Sequence, residues 1–144
     1  MRKRRIARQI ALQALFQADV GGVPISEGLE FLFQDKNLPK DVIEFATELA
    51  VGTWEHKEEL DRIIQECAPH WSIEQMTGVD RNILRMATYE ILHMPDTPYS
   101  VSINEAVELA KLFGTSNSGR FVNGILGGIV KKYCSPSGKA SGGS

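Results

Sequence analysis

The hydrophobic residues of this chain recur mainly at steps of three and four, which is the spacing of a helix with one buried face. The clearest early stretch is residues 5–18, RIARQIALQALFQA, whose apolar face comprises Ile6, Ala7, Ile10, Ala11, Ala14, Leu15 and Ala18. Period-two alternation, which is typical of a half-buried strand, does not occur convincingly anywhere. The pattern therefore predicts an all-α fold.

Glycine and proline divide this pattern into about seven helices. The first helix is expected to end at residues 21–24, and Ser26 is predicted to cap a short second helix that stops near Asn37. Residues 39–67 form either one kinked helix or two, because Gly52 weakens the middle of the segment.

The second half contains two candidate capping boxes, in which a serine precedes a glutamine or glutamate by three positions. Ser72 begins the first box and Ser102 begins the second. Between them, DRNILRMATYEILHM has the strongest helical pattern, and Thr77 or Asp80 is predicted to start that helix. Gly114 is predicted to end the following helix in a left-handed conformation.

The folded part is expected to be a single helical domain, residues 1–134. At 144 residues the chain is long enough to bury a hydrophobic core. We expect two packed subbundles of three to four helices, residues 1–68 and 70–134 approximately. Residues 135–144, SPSGKASGGS, lack apolar content and are expected to be a disordered tail.

Positive charge is concentrated at the start of the chain. The whole chain has a net charge of −2, which argues against a general nucleic-acid coat. Five basic residues nevertheless lie within the first eight positions, so that the remaining residues together carry −7. They are Arg2, Lys3, Arg4, Arg5 and Arg8. This asymmetry predicts a localised anion-binding site and a separate acidic face for a basic partner.

The sequence contains no motif of a common catalytic or cofactor site. The phosphate-binding loop, the nucleophile elbow, the zinc-protease motif and the dinucleotide fingerprint are missing. The three histidines are isolated in sequence, and Cys67 and Cys134 belong to no C-x-x-C pair, so we predict no metal, cofactor or disulfide. No apolar run approaches the roughly 20 residues that span a bilayer. We therefore expect a cytoplasmic, non-enzymatic protein without a membrane partner.

The basic segment RKRRIAR is unfavourable for the helix that it begins. The positive end of a helix dipole disfavours each nearby cation by about 0.3–1 kcal/mol. An RNA or another polyanion is therefore a natural reason for these residues. A solubilising terminus is the alternative, and the residues alone leave both open.

The segment GRFVNGILGG offers a second candidate binding surface. Arg120 supplies a planar cation, Phe121 a stacking face and Asn123 an amide, which are residue types that suit single-stranded RNA. A core position for Phe121 and a capping or bridging role for Asn123 are the alternatives. Close helix packing is the plainest reason to tolerate the glycines of this helix, which cost about 1 kcal/mol each relative to alanine.

The third candidate surface is DRNILRMATYE. Arg81 and Arg85 are four residues apart and share a helix face. Arg85 either binds phosphate or pairs with Glu105 inside the fold, and the sequence favours neither.

Four collinear segments resemble the NusB family of transcription antitermination factors. They are RRIARQIALQALF, VDRNILRMATYE, PYSVSINEAVELAKLFG and RFVNGIL, and together they cover about residues 4–130. The resemblance implies an all-helical fold of two small subbundles. It also implies binding of boxA, a short single-stranded RNA element, together with NusE, which is also a small-subunit ribosomal protein.

By the same resemblance, the heterodimer on boxA supports an RNA polymerase antitermination complex on ribosomal RNA operons. The RNA-contacting residues would be Arg2, Lys3, Arg4, Arg5, Arg8, Arg81, Arg85, Arg120, Phe121 and Asn123. Glu74 and Asp80 would face NusE. Apart from the resemblance, the sequence leaves open a homodimer of the free protein that hides the basic residues, since exposed helical faces can pair when the partner is absent.

Three other interpretations are open, and an enzyme of unknown activity is the last of them. The first is a helical protein-interaction module whose basic terminus is incidental. The second is a NusB-like RNA-binding domain of an rRNA-modifying system, although the chain shows no sequence for a methyl-donor-binding sheet.

Overall fold

The computed structural model describes residues 2–34 and 37–134, and this part of the chain is almost entirely helical. The helices are α1 (Arg2–Gly21), α2 (Ile25–Phe33), α3 (Lys40–Glu55), α4 (Lys57–Glu66), α5 (Gly78–His93), α6 (Tyr99–Phe113) and α7 (Ser118–Tyr133). A short 3-10 turn, Ile73–Gln75, precedes α5. The prediction of an all-α fold with about seven helices is confirmed. The predicted tail, residues 135–144, lies outside the described residues.

The helices belong to two compact units, Met1–His56 with α1 to α3 and Lys57–Ser144 with α4 to α7. The division falls earlier than the one expected near residue 70, because α4 packs against α5 and α7. The segment 39–67 is two helices, and they separate at His56 rather than at Gly52. That the units form one domain stays a prediction.

In the first unit, α1 packs against α3 and α2. The apolar stripe predicted for α1 is buried, except for Ile6, which is exposed. From α3, Val42, Ala46 and Leu49 complete this core. Because the first buried residue of α1 is Ala7, the residues before it extend beyond the core.

In the second unit, α5 is the central helix. Every residue from 82 to 91 is buried, and α5 contacts α4, α6 and α7. A helix that is buried on all sides must satisfy its polar side chains within the protein. None of the described helices has the length and apolar content needed to cross a membrane.

Two predicted helix starts are confirmed. Thr77 caps α5, since its Oγ1 accepts a hydrogen bond from the amide of Asp80 at 3.1 Å. Ser72 and Gln75 form a capping box before the 3-10 turn, and the Gln75 side chain accepts from the Ser72 amide at 3.1 Å.

Two other predicted helix starts were wrong, and a proline precedes the helix in both cases. Pro24 occupies the cap position of α2 in place of Ser26, and Pro98 occupies that of α6. Ser102 and Glu105 consequently lie inside α6, where both are buried. The fixed backbone angle of proline suits a helix start without any side-chain cap.

The prediction for Gly114 was also wrong in its reason. Its backbone is extended (φ −97°, ψ −162°) and not left-handed. A Cβ at this position would lie 2.3 Å from Ser118 Oγ and 2.8 Å from the carbonyl oxygen of Ala110. Gly114 is therefore needed because the turn between α6 and α7 leaves no room for a side chain.

Candidate nucleic-acid interface

The α1 basic surface consists of Arg2, Lys3, Arg4 and Arg5, all of which are exposed. These residues precede the buried part of α1, so that their side chains cover no core. The guanidinium of Arg4 lies over the ring of Phe45 on α3, 4.5 Å from the ring centroid. This cation–π contact orients one member of the surface while its charge stays at the protein boundary.

Arg8 differs from the other basic residues of α1 because only 4% of its surface is exposed. Its guanidinium also lies over Phe45, at 5.3 Å from the ring centroid. The sequence placed Arg8 with the phosphate-binding residues, and that role stays a prediction. In the protein as folded, burial gives Arg8 a packing role between α1 and α3.

Acidic residues of α3 border the α1 basic surface. A cleft of about 280 Å³ is lined by Lys3, Arg4, Asp41, Val42, Glu44, Phe45 and Glu48. Lys3 Nζ lies 3.6 Å from Asp41 Oδ2, and both side chains are largely exposed. Exposed ion pairs of this kind contribute about 0–1 kcal/mol. The carboxylates therefore offset part of the positive charge, but their ion pairs are weak enough for a phosphate to replace them.

Arg85 of α5 is engaged inside the second unit. Its Nε and Nη2 donate to the two carboxylate oxygens of Asp61 on α4, at 2.7 and 2.9 Å. Its Nη1 donates to Asn82 Oδ1 at 3.2 Å. An internal ion pair was one of the two interpretations of Arg85, and the structure shows such a pair with Asp61, which the sequence did not single out. A role for Arg85 in RNA binding stays untested.

Arg81 is also used within the second unit. Its Nη1 donates to the carbonyl oxygens of Ile73 and Met76, at 3.2 and 2.9 Å. Ile73 begins the 3-10 turn and Met76 follows it, so that Arg81 fixes the backbone that leads into α5. Its contact with RNA stays a prediction. In the protein as folded, its guanidinium donates to these two carbonyl oxygens.

The α7 surface consists of Arg120, Phe121 and Asn123. Arg120 and Asn123 are exposed and Phe121 is half-buried, so that the core alternative for Phe121 is only partly right. The ring of Phe121 contacts the exposed ring of Trp71 edge to face, with centroids 5.8 Å apart. Sequence reasoning missed Trp71, which belongs to no periodic stretch.

The glycines of α7 do not share one explanation. A Cβ on Gly124 or Gly127 would meet no heavy atom within 4 Å, whereas one on Gly128 would lie 3.7 Å from Cys67 Cβ. The contact at Gly128 is an ordinary van der Waals distance, so close packing explains none of these three glycines. The one tight contact among the glycines of α7 is at Gly119, where a Cβ would lie 3.2 Å from Lys111 Cγ. Gly124 and Gly127 leave exposed helix backbone near Asn123 without side chains.

The two predicted NusE contacts have different environments. Glu74 is exposed, whereas Asp80 is buried in the first turn of α5. Asp80 Oδ1 has no hydrogen-bond partner within the part of the chain that the structure describes. The positive end of the α5 dipole favours a carboxylate at this position. A contact of either residue with a partner stays a prediction.

The ends of α4 and α7 are joined by a small polar cluster around Glu66. Glu66 Oε1 accepts hydrogen bonds from the Tyr133 hydroxyl and from Lys132 Nζ. These donors hold the pKa of Glu66 below its usual value, and the bond to Glu66 raises the pKa of Tyr133. A lowered carboxyl pKa contributes stability above the unfolded-state pKa, and this contribution is lost as the pH falls through the folded-state pKa. The contribution of the Glu66 cluster to stability is therefore present near neutral pH and is lost in acid.

Cys67 and Cys134 are free thiols and both are half-buried, as expected for a chain without a disulfide framework. Burial raises the pKa of each thiol above its usual value. Since the thiolate is the nucleophilic form, a raised pKa lowers the fraction of each cysteine in that form at neutral pH.

Comparison with known proteins places this geometry in a family. The model of the NusB family matches residues 5–131. The transcription antitermination protein NusB of Symbiobacterium thermophilum is 48% identical over 136 residues, with 89% of each chain covered. The protein of the same description from Pelotomaculum thermopropionicum is 51% identical over 128 residues, again with 89% of each covered.

Solved structures agree with the sequence relatives. The structure of T. maritima NusB matches with a TM-score of 0.86 and 38% identity, covering 93% of this chain and 94% of that one. A structure of the antitermination factors NusB and NusE in complex with double-stranded RNA contains a chain with a TM-score of 0.85 and 32% identity, covering 92% and 99%. The chain therefore belongs to the NusB family.

Proposed function

We propose that this protein is a transcription antitermination factor that binds boxA-type single-stranded RNA together with NusE. The observation that carries the proposal is family membership over nearly the whole described chain, with relatives that are themselves named transcription antitermination proteins. A solved relative in complex with NusE and RNA supports both proposed partners. The complex would act on RNA polymerase transcribing ribosomal RNA operons.

The surfaces of the two units suit different parts of this task. The four cations of the α1 basic surface are exposed and fit phosphates, which supply affinity but carry no sequence information. The α7 surface offers a half-buried ring and an exposed amide, which fit unpaired bases. Glu74 and Asp80 are proposed for NusE. On this proposal the protein acts by binding, with no chemical step.

The proposal is tested by fluorescence anisotropy with a boxA-type RNA and a scrambled RNA of equal length, each with and without NusE. We expect a preference for boxA that NusE strengthens. If about four to six phosphates are neutralised, the logarithm of the association constant falls against the logarithm of salt concentration with a slope of roughly −3 to −4. Equal and feeble binding to both RNAs would contradict the proposal.

A competition experiment with duplex RNA distinguishes single-stranded from double-stranded RNA as the target. The solved relative with NusE contains double-stranded RNA, whereas stacking on the α7 surface requires an unpaired base. A boxA-type strand annealed to its complement should compete poorly with the labelled single strand. Equal competition by the duplex would restrict the interaction to backbone contacts and remove the proposed base recognition.

A protein-interaction module has one observation in its favour. Helices α1 and α2 border an apolar groove of about 460 Å³, near which Val20 and Phe31 are exposed. Exposed apolar groups of this size favour contact with a protein. If this were the whole function, RNA binding would be weak and indifferent to sequence, which the scrambled RNA measures.

A further inference from the structure

Trp71 is a large exposed aromatic side chain for which the proposed function gives no role. Its relative exposure is 50%. Its ring and that of Phe121 are inclined at 75°, with centroids 5.8 Å apart. In an edge-to-face pair, the ring that supplies its edge has neither face covered by its partner. Half of the Trp71 side chain is therefore accessible to a ligand while the ring keeps one contact with Phe121.

The backbone around Trp71 is fixed by side chains from the flanking helices. Gln65 Nε2 donates to the carbonyl oxygens of Ala68 and Trp71, the first at 3.0 Å. Gln65 Oε1 accepts from the amide of Ile73 at 3.1 Å, and Arg81 donates to the carbonyl oxygen of the same residue at 3.2 Å. A ring carried on an ordered backbone loses little conformational entropy when a ligand binds it.

The charged side chains of α7 are all basic. Helix α7 contains Arg120, Lys131 and Lys132 and no aspartate or glutamate. Lys132 is paired with Glu66, whereas Arg120 is exposed and forms no ion pair within the described part of the chain. Arg120 adjoins Phe121 in sequence, and an exposed aromatic ring with an arginine one residue away offers the two groups that a nucleotide needs, a ring for its base and a cation for its phosphate.

We propose that Trp71 and Phe121 form a stacking site for one unpaired RNA base, with Arg120 placed for the adjoining phosphate. This inference rests on the proposed RNA-binding function and deepens it, because it adds Trp71, from the loop after α4, to the α7 surface. Single-stranded RNA is the ligand that we infer, because Arg120 and Trp71 are both exposed and α7 has no carboxylate to repel phosphate.

The first test compares RNA affinities of the full chain carrying Trp71→Leu, Trp71→Phe or Phe113→Leu. Phe113 is a matched control, because its exposure on α6 is also 50%. Loss of one stacked base should weaken binding of boxA-type RNA by about five- to 150-fold in Trp71→Leu. Trp71→Phe should retain most of the affinity and Phe113→Leu all of it. The salt slope should not change, because stacking neutralises no phosphate.

The second test uses the fluorescence of Trp71 and requires no variant at the site itself. The chain has two tryptophans, so that Trp54→Phe leaves Trp71 as the single reporter. A base stacked on the indole should quench this emission as unlabelled boxA-type RNA is added. The midpoint of the quenching titration should equal the midpoint of the anisotropy titration. Emission that does not change while RNA binds would overturn the stacking site, even if Trp71→Leu failed to fold.

The remaining outcomes separate this inference from the proposed function. RNA binding by the wild type that is unchanged in folded Trp71→Leu overturns the inference alone. Failure of the wild type to bind any RNA contradicts the proposed function, and the inference with it. If Trp71→Leu lowers affinity for NusE without RNA but leaves RNA affinity intact, Trp71 is a contact for a protein partner, and the stacking site is wrong.

Discussion

Helices α1 and α5 each carry two arginines four residues apart, and the two helices use them differently. On α1, Arg4 is exposed and Arg8 is buried, because the core of the first unit begins between them. On α5, Arg85 is buried against Asp61 and Arg81 holds two backbone carbonyl groups. The difference teaches that spacing along a helix does not make an arginine available to a ligand, because the packing around the helix decides whether its guanidinium is exposed.

The largest effect is expected at Asp61, the partner of the buried arginine of α5. Asp61→Ala removes the carboxylate that accepts two hydrogen bonds from the buried guanidinium of Arg85, and loss of hydrogen bonds to a charged group costs about 1.5–3 kcal/mol. We expect a decrease of this size in the free energy of unfolding, measured by urea denaturation. Glu58→Ala, at an exposed position of α4, is the control and should cost little. A loss below about 1 kcal/mol for Asp61→Ala would mean that Arg85 does not depend on this pair.

The complementary change is made at the start of α1. Replacement of Arg2, Arg4 and Arg5 by glutamine should weaken RNA binding by about 1–3 kcal/mol and reduce the magnitude of the salt slope by about 2. The free energy of unfolding should hardly change, because none of the three side chains is buried. Anisotropy at several salt concentrations and urea denaturation measure the two effects. An unaltered slope in the folded variant would remove α1 from the RNA site.

The exposed glycines of α7 test whether their surroundings are open. Gly124→Ala and Gly127→Ala should each raise the free energy of unfolding by about 0.5–1 kcal/mol, because the new methyl group meets open space and alanine favours the helix. Gly114→Ala is the opposite control, since its Cβ would clash with Ser118 and Ala110. Denaturation curves check both signs. Destabilisation by Gly124→Ala would show that its surroundings are filled.

The smallest expected effect concerns the carboxylates that border the α1 basic surface. Neutralising Asp41, Glu44 and Glu48 as amides should raise RNA affinity by less than about 1 kcal/mol at low salt. The gain should disappear at high salt, where exposed charges are screened. The same changes at the exposed Glu27, Glu30 and Glu55 form the control within the first unit. A larger gain in the control would assign the effect to net charge and not to proximity.

The sequence predicted the helices well because their signals are local. The apolar periods of α1 and α5 and the cap at Thr77 lie within a few residues of the features that they specify. The break at His56 was missed, because His56 closes α3 through a hydrogen bond between its Nδ1 and the Gly52 carbonyl oxygen at 2.8 Å. Such a bond appears in no hydrophobic pattern.

The candidate site was less predictable because its contacts join distant segments. The partner of Arg85 comes from a helix that precedes it, and many carboxylates are equally available in sequence. Trp71 meets Phe121 only because the loop after α4 is held beside α7. Residue types therefore indicated the class of ligand, whereas burial decided which residues can reach it.

The raised pKa values of Cys67 and Cys134 have a practical consequence for chemical labelling. Maleimides and iodoacetamides react with the thiolate, so that both native cysteines should react slowly near pH 7. A single cysteine introduced at an exposed position such as Ser100 on α6 should be modified first. The introduced cysteine should therefore be labelled in preference to the two native thiols.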